Sequence, residues 1–143
     1  MNASTLPVLD ELQSRLAPWC RERPVELCAV FGSRATGHTH AGSDLDLAVR
    51  PTSRRPALEK LTWMTELAHV LGEEVDLVLL GPETPPVLGM EVVRNGRLLW
   101  EREPGAWDRE LSRLWLAYVD SFKFRQAERE QLREFAERVR RGA

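Results

Sequence analysis

The sequence predicts an α/β protein in which a small mixed β-sheet is flanked by helices and a long helix ends the chain. Two observations predict this fold class. Short apolar runs bounded by Pro or Gly, which are typical of buried strands, alternate with segments whose apolar residues recur every three or four positions. From Trp107 onward only the helical spacing remains.

Composition limits the number of domains and the classes of partner. The 143 residues are 43% hydrophobic and 29% charged, which suits a single domain over residues 1–143. Within it we expect a catalytic core at about residues 25–101 and a C-terminal helical region at about 105–140. A net charge of −2 provides no basic field, so we expect no direct nucleic-acid binding.

The ends of the chain and its cysteines predict the compartment. The first residues lack the basic start and apolar run of a secretory signal, and no apolar run approaches the roughly eighteen residues of a membrane span. The two cysteines are Cys20 and Cys28. We therefore expect a cytoplasmic protein with reduced thiols and no membrane contact.

The first half of the chain predicts two helices and three strands. The first helix begins at a Ser4 or Thr5 cap and ends before Pro24. The strands are predicted at Val25–Phe31, Ser43–Arg50 and Glu74–Leu80, and the second helix at Pro56–Leu71.

The second half predicts one strand between helices. A helix over Pro86–Arg94 ends at Asn95-Gly96, and a strand follows over Arg97–Glu101. The segment from Trp107 predicts one long helix, or two with a bend near residues 120–124. Its far end alternates Glu and Arg, which is typical of a solvated helix face, although a partner-binding face is also compatible.

Four tryptophans and one tyrosine lie at positions that favour packing. Core packing explains these tryptophans better than stacking on adenine, since all fall at apolar helix or strand positions: Trp63, Trp100, Trp107 and Trp115. Tyr118, the one tyrosine, is expected to pack on the last helix.

The segment Val30–Val49 (VFGSRATGHTHAGSDLDLAV) carries the candidate chemistry. Its Gly32 to Thr39 spacing is that of a phosphate-binding P-loop, but His38 stands where such a loop needs Lys. The residues that follow lack the apolar periodicity of the helix that a P-loop requires. We therefore do not interpret the segment as a P-loop.

Asp44 and Asp46 are the principal candidates for a metal site. Residues i and i+2 of a strand point to the same face, so both carboxylates are aimed at one spot. Like charges held together are costly, and a bound divalent cation is the usual compensation. Oxygen ligands favour Mg²⁺ completed by substrate phosphates and water. The alternative is an exposed strand end at which both acids face water.

Two further features strengthen this interpretation. Gly32 and Ser33 follow a predicted strand, where a tight turn offers backbone N–H groups and a hydroxyl to an anion. Asp76 lies in an otherwise apolar strand, where burial without a partner would be costly. If its strand lies beside the strand of Asp46, Asp76 can orient and deprotonate a hydroxyl nucleophile. Otherwise it would cap a loop or pair with an arginine.

These residues together resemble the nucleotidyltransferase superfamily of DNA polymerase beta type. The resemblance rests on Gly32-Ser33, Gly37, Ser43-Asp44-Leu45-Asp46-Leu47 and Asp76. The stretches GSRATG, SDLDLAV, EVDLVLL and GMEVVRNGRLLWE look like the minimal nucleotidyltransferase (MNT) antitoxins, whose toxins are HEPN-domain ribonucleases. The similarity runs from about Val25 to about Phe124.

The resemblance implies transfer of AMP, or a short run of AMP units, from ATP to a tyrosine hydroxyl of a HEPN toxin, which silences the toxin. Asp44 and Asp46 would hold Mg²⁺, and Asp76 would act as general base or second-metal ligand. Gly32 and Ser33 would contact the triphosphate. These roles agree with the physics, because nucleotidyl transfer depends mainly on alignment and charge neutralisation.

Two other functions and three residue roles stay open. The chain could neutralise its toxin by contact through the charged C-terminal helix, or modify a small molecule such as an aminoglycoside. Enzymes of the latter kind usually carry extra domain material for the acceptor. Arg34 can contact phosphate or pair with an acid, and His38 and His40 fit solvated loop residues.

Overall fold

The computed structural model describes residues 5–32, 35 and 44–142. In chain order its elements are α1 (Thr5–Arg21), β1 (Val25–Phe31), β2 (Leu45–Pro51), α2 (Ala57–Leu71), β3 (Val75–Leu79), α3 (Pro86–Asn95), β4 (Arg97–Glu101) and α4 (Ala106–Gly142). Each strand and helix expected from the sequence is present. The C-terminal segment is one continuous helix of 37 residues, so the alternative of two separate helices is wrong.

The four strands form one mixed sheet in the order β3-β2-β1-β4. β1 pairs antiparallel with β2 and with β4, whereas β2 and β3 are parallel. Parallel neighbours require a crossover, and α2 supplies it. The predicted small mixed sheet is confirmed, with β1 buried at its centre and β3 at one edge.

Alternating strand residues divide the core into two layers. Leu45 and Leu47 of β2 pack with α1 and α2 on one face of the sheet. Ala48 packs on the other face with Val92 of α3. Because successive strand residues point to opposite faces, Asp46 shares the face of Ala48. The helices α3 and α4 therefore cover the side of the sheet that carries Asp46.

α3 and α4 approach closely at a glycine. A Cβ atom at Gly89 of α3 would lie 3.1 Å from Cδ2 of Leu114 on α4. That separation is tighter than ordinary van der Waals contact, so a larger residue would push the helices apart. Gly89 thereby allows α3 and α4 to pack closely against each other.

A buried ion cluster joins α4 to the sheet. Glu110 of α4 is fully buried, and Arg50 of β2 donates to its carboxylate through Nη1 at 3.1 Å. Arg113, one helical turn farther along α4, donates to the same carboxylate at 2.9 Å. Two guanidinium groups offset the cost of removing Glu110 from water. This cluster was not predicted from the sequence.

A second charged contact stabilises the layer formed by α1 and α2. Arg23 donates to the Glu66 carboxylate of α2 through Nε and Nη2, each at 3.0 Å, and Trp19 Nε1 donates to it at 3.1 Å. These hydrogen bonds, that from Arg23 first, lower the pKa of Glu66. Trp19 also meets Trp63 edge-on, with ring centroids 5.5 Å apart.

The tryptophan prediction is confirmed for three of the four positions. Trp63 is buried, and Trp100 and Trp107 are half-buried against the core. Trp115 is 48% exposed, so its assignment to the core is wrong. The preceding residue, Leu114, takes the buried position on α4, which turns Trp115 outward.

Tyr118 packs on α4 as predicted. Its half-buried ring stacks on Trp115 with centroids 6.5 Å apart, and the Arg125 guanidinium lies 4.4 Å from the Tyr118 centroid.

Within the ranges the structure describes, no helix is long and apolar enough to cross a membrane.

Candidate functional site

Two aspartates occupy equivalent positions on neighbouring parallel strands. Asp46 on β2 and Asp76 on β3 are register partners. Residues paired in register on adjacent strands project to the same face of a sheet. The condition under which Asp76 joins the Asp44-x-Asp46 pair, namely that the two strands are neighbours, is therefore met.

Asp76 is open to solvent, so the prediction that it is buried is wrong. Its expected burial rested on the apolar residues around it, but the residue is exposed. β3 is an edge strand and Asp76 is its second residue, so the carboxylate is not enclosed. The cost of an unpaired buried carboxylate does not arise, and Asp76 is accessible to an incoming molecule.

Asp46 is half-buried, and three other carboxylates lie near its own. Burial is the largest cause that raises the pKa of Asp46, and the carboxylates of Asp76, Asp44 and Glu91 raise it further. Asp44 is exposed immediately before β2 begins. The fold thus concentrates negative charge around one partly buried carboxylate, which is an arrangement that a divalent cation would relieve.

Glu91 is a fourth acid at this site, and it was not predicted from the sequence. It lies on α3, the helix over the sheet face that carries Asp46. Asn95, one turn later, donates to Glu91 Oε1 through Nδ2 at 2.8 Å and so holds the carboxylate in place. The four-residue spacing of Glu91 and Asn95 was visible in the sequence. The docking of α3 near Asp46 was not.

The donor chemistry fits Mg²⁺ that is bound together with a phosphorylated substrate. Within residues 5–32, 35 and 44–142, no three His, Cys, Asp or Glu side chains converge closely enough to enclose a metal ion. Mg²⁺ is usually held by one or two carboxylates, with waters and substrate phosphates completing its shell. The acids Asp44, Asp46 and Asp76 offer oxygen ligands of that kind.

Gly32 brings the backbone directly against Asp46. It follows β1 with a φ of +72°, a conformation that side-chain-bearing residues rarely adopt. A Cβ atom there would collide with Oδ2 of Asp46. The turn after β1 and the acid on β2 therefore form one contiguous surface. The other candidates in this loop, Ser33, Arg34, His38 and His40, lie outside the described residues.

Comparison with known proteins finds a matching family, a related curated protein and related solved structures. The family model described as Polymerase beta, Nucleotidyltransferase matches residues 15–105. The chain is 34% identical over 76 residues to Protein adenylyltransferase MntA of Shewanella oneidensis, a match that covers 53% of this chain and 54% of that protein. The chain thus spans about half the length of this curated relative.

Solved structures show the same fold. A chain in the crystal structure of a toxin-antitoxin with AMP-PNP superposes with a TM-score of 0.68 at 24% identity, covering 87% of this chain and 98% of that one. A chain in the complex of tri-AMPylated Shewanella oneidensis HEPN toxin with MNT antitoxin gives 0.63 at 24% identity, covering 90% and 98%. These matches confirm the predicted fold class.

Proposed function

We propose that this chain, which belongs to the Polymerase beta nucleotidyltransferase family, is a cytoplasmic antitoxin that transfers AMP from ATP to a tyrosine hydroxyl of a HEPN-domain toxin. The observation that carries the proposal is the register pairing of Asp46 with Asp76, beside the glycine turn at Gly32. The similarity to the adenylyltransferase MntA supports the choice of AMP as the transferred group and of a protein as the acceptor.

In the proposed reaction the acceptor oxygen bonds to the α-phosphorus of ATP and pyrophosphate leaves. Asp44 and Asp46 are the proposed ligands of Mg²⁺, which neutralises phosphate charge when bound. Asp76 accepts the proton of the acceptor hydroxyl, or serves as a ligand of a second metal ion. Its exposed position on an edge strand leaves room for a side chain of another protein to approach.

Gly32 and Ser33 are the proposed contacts to the triphosphate. The positive φ of Gly32 and the absence of a Cβ let an anion approach its backbone closely. Because Gly32 touches Asp46, phosphates held at the turn would lie next to the carboxylate that binds their counter-ion. The alignment that nucleotidyl transfer requires would follow from this contact.

Intact-mass measurement tests the proposal. The purified chain is incubated with the protein encoded by the neighbouring gene, Mg²⁺ and ATP, and both masses are then recorded. We expect the neighbour to gain one or more AMP units on a tyrosine, and the gain to disappear when EDTA removes the metal. An unmodified neighbour would refute transfer of AMP to that protein.

The contact antitoxin is the second candidate, because residues 126–142 of α4 are all exposed. The two functions are separated by the double variant Asp44→Asn, Asp46→Asn. If contact alone silences the toxin, inhibition of the neighbour's ribonuclease activity survives this change. If AMP transfer silences it, inhibition is lost together with the added mass.

Gly32→Ala tests the glycine turn. The added methyl group would displace the Asp46 carboxylate, and the positive φ is strained for alanine by about 1–2 kcal/mol. We expect transfer to slow by on the order of 100-fold, as a misplacement of about 1 Å can cause. Gly81→Ala is the control, since no neighbouring atom lies within 4 Å of its added Cβ. Equal transfer rates in the two variants would contradict the role of Gly32.

A further inference from the structure

The last part of α4 extends beyond the domain core. The buried residues of this helix are Ala106, Glu110 and Leu114, all in its first three turns. Every residue from 126 to 142 is exposed. At 1.5 Å per residue this exposed segment is roughly 25 Å long. We refer to residues 126–142 as the tail.

The tail carries a row of large apolar side chains in solvent. Leu132, Phe135 and Val139 are 67%, 60% and 56% exposed. Their spacing of three and then four residues places them on one face of the helix. This row, the tail stripe, has two members per seven residues, which is the spacing of a helix-packing seam.

Charged residues are sorted around the tail stripe. With 3.6 residues per turn, a basic row lies on one flank and an acidic row lies on the opposite side of the helix. The basic row consists of Arg129, Arg133 and Arg140, and the acidic row of Glu130, Glu134 and Glu137. Arg138 lies on the other flank of the stripe. Glu128 lies in line with the stripe, one turn before Leu132, and Arg141 lies within the acidic row. Both flanks beside the stripe are therefore basic.

This charge distribution disfavours a second copy of the chain. When two helices pack along a seam, the residues that flank the seam face each other across the interface. Two tails joined by their stripes would place arginine rows together, with their acidic rows turned away. Like charges facing each other across an interface are unfavourable, so the complementary surface should carry carboxylates.

A membrane surface also fits less well. Helices that bury one face usually present three to four apolar residues per two turns, whereas the stripe presents about two. Membrane affinity grows with buried apolar area, and three side chains provide little of it. A narrow stripe matches a groove between side chains of another helix more closely than a lipid surface.

We propose that the tail stripe docks a helical protein surface whose apolar seam is bordered by carboxylates, and that this surface belongs to the toxin that accepts AMP. The identification of the toxin as partner rests on the proposed function. The stripe would supply apolar contact, and the flanking arginines would fix the orientation and accelerate association. Binding of the toxin would then depend on residues that take no part in the transfer reaction.

The test compares two full-length triple variants that differ only in the face of the tail they alter. Leu132, Phe135 and Val139 are changed to Ala in one, and Glu130, Glu134 and Glu137 are changed to Ala in the other. Alanine retains helix propensity, and circular dichroism checks that both remain folded. Affinity for the neighbouring gene product is measured by calorimetry at low and high salt.

We expect the apolar variant to bind the neighbour about tenfold more weakly or worse, since it removes all three apolar side chains of the stripe and a few central contacts carry most of the binding energy. The acidic-row variant should bind at least as tightly as wild type. A third variant, Arg129→Gln with Arg133→Gln and Arg140→Gln, should weaken binding and reduce its salt dependence. Equal affinity of the apolar variant and wild type would overturn the proposal.

A second copy of the chain or a membrane bound at the tail stripe would give a distinct result. Either result would also overturn the proposal. A second copy would appear as a dimer of the wild-type chain in sedimentation that the apolar variant lacks. A membrane would appear as stripe-dependent binding to phosphatidylserine vesicles without stripe-dependent binding to the neighbour. Failure of the proposed function is separable, because a neighbour that binds through the stripe but gains no AMP would refute transfer and support docking.

Discussion

Replacing Asp46 by Asn is expected to abolish AMP transfer while leaving the chain at least as stable as the wild type at pH 7. The loss of transfer follows because the amide removes the negative charge of a proposed Mg²⁺ ligand. The stability follows because the Asp46 carboxylate is partly buried and repelled by neighbouring carboxylates. An amide of the same shape does not carry that electrostatic cost.

The pH dependence of unfolding distinguishes this explanation from simple damage. The pKa of Asp46 is raised in the folded chain, by burial first, so the fold favours its protonated form. That contribution is complete below the unfolded pKa of about 3.9 and is lost as pH rises through the raised folded value. Because Asn stays neutral, the stability of the variant relative to wild type should increase between about pH 4 and pH 7.

Urea unfolding at both pH values, with EDTA present, measures this difference, and intact mass measures transfer. Asp120→Asn is the matched control, because Asp120 is exposed on α4. It should leave both stability and transfer unchanged. An Asp46→Asn chain that is less stable than wild type at pH 7 would show that the carboxylate is structural. Retained transfer would remove Asp46 from the site.

Removing the buried carboxylate of Glu110 should destabilise the fold more than any other substitution proposed above or below. Glu110→Ala leaves Arg50 beneath α4 without its charged partner and also creates a cavity. Breaking a buried ion pair on one side typically costs about 3–5 kcal/mol. We expect a loss of that size in the free energy of unfolding from urea titration, and docking of α4 should weaken.

An exposed ion pair provides the comparison. Glu83 is paired with Arg54 at 2.7 Å, but both side chains are largely in solvent. Glu83→Ala should therefore change stability by no more than about 1 kcal/mol. If Glu110→Ala does not fold, the double variant Arg50→Met, Glu110→Leu should fold, because an apolar pair can replace a buried ion pair. Similar effects of Glu110→Ala and Glu83→Ala would contradict the structural role of the cluster.

The sequence predicted those parts of the site that depend on local spacing. Asp44 and Asp46 are two residues apart, and the carboxylate of Asp44 lies near enough to raise the pKa of Asp46. Gly32 follows a strand, as expected. Asp76 needed the additional condition that β2 and β3 be neighbours, which no local pattern encodes. The alternation of strand and helix patterns was sufficient for the order and bounds of the elements.

The parts that escaped prediction depend on packing between distant segments. Glu91 reaches the site only because α3 lies over the same sheet face, and Glu110 is buried only because Arg50 lies beneath it. Trp115 was assigned to the core because apolar periodicity alone does not decide which of two adjacent residues turns inward. Asp76 was expected to be buried because the sequence does not identify β3 as an edge strand.

The continuity of α4 has a consequence for how an acceptor would be chosen. α4 is an unbroken helix of 37 residues and is fixed to the sheet through Glu110 near its beginning. It would therefore set a fixed distance between the proposed catalytic acids and a protein bound at its far end. A protein bound at the far end of α4 could then bring to the acids only those hydroxyl groups that lie at this distance from its binding surface. Geometric reach, more than the sequence around a tyrosine, would then select the residue that is modified.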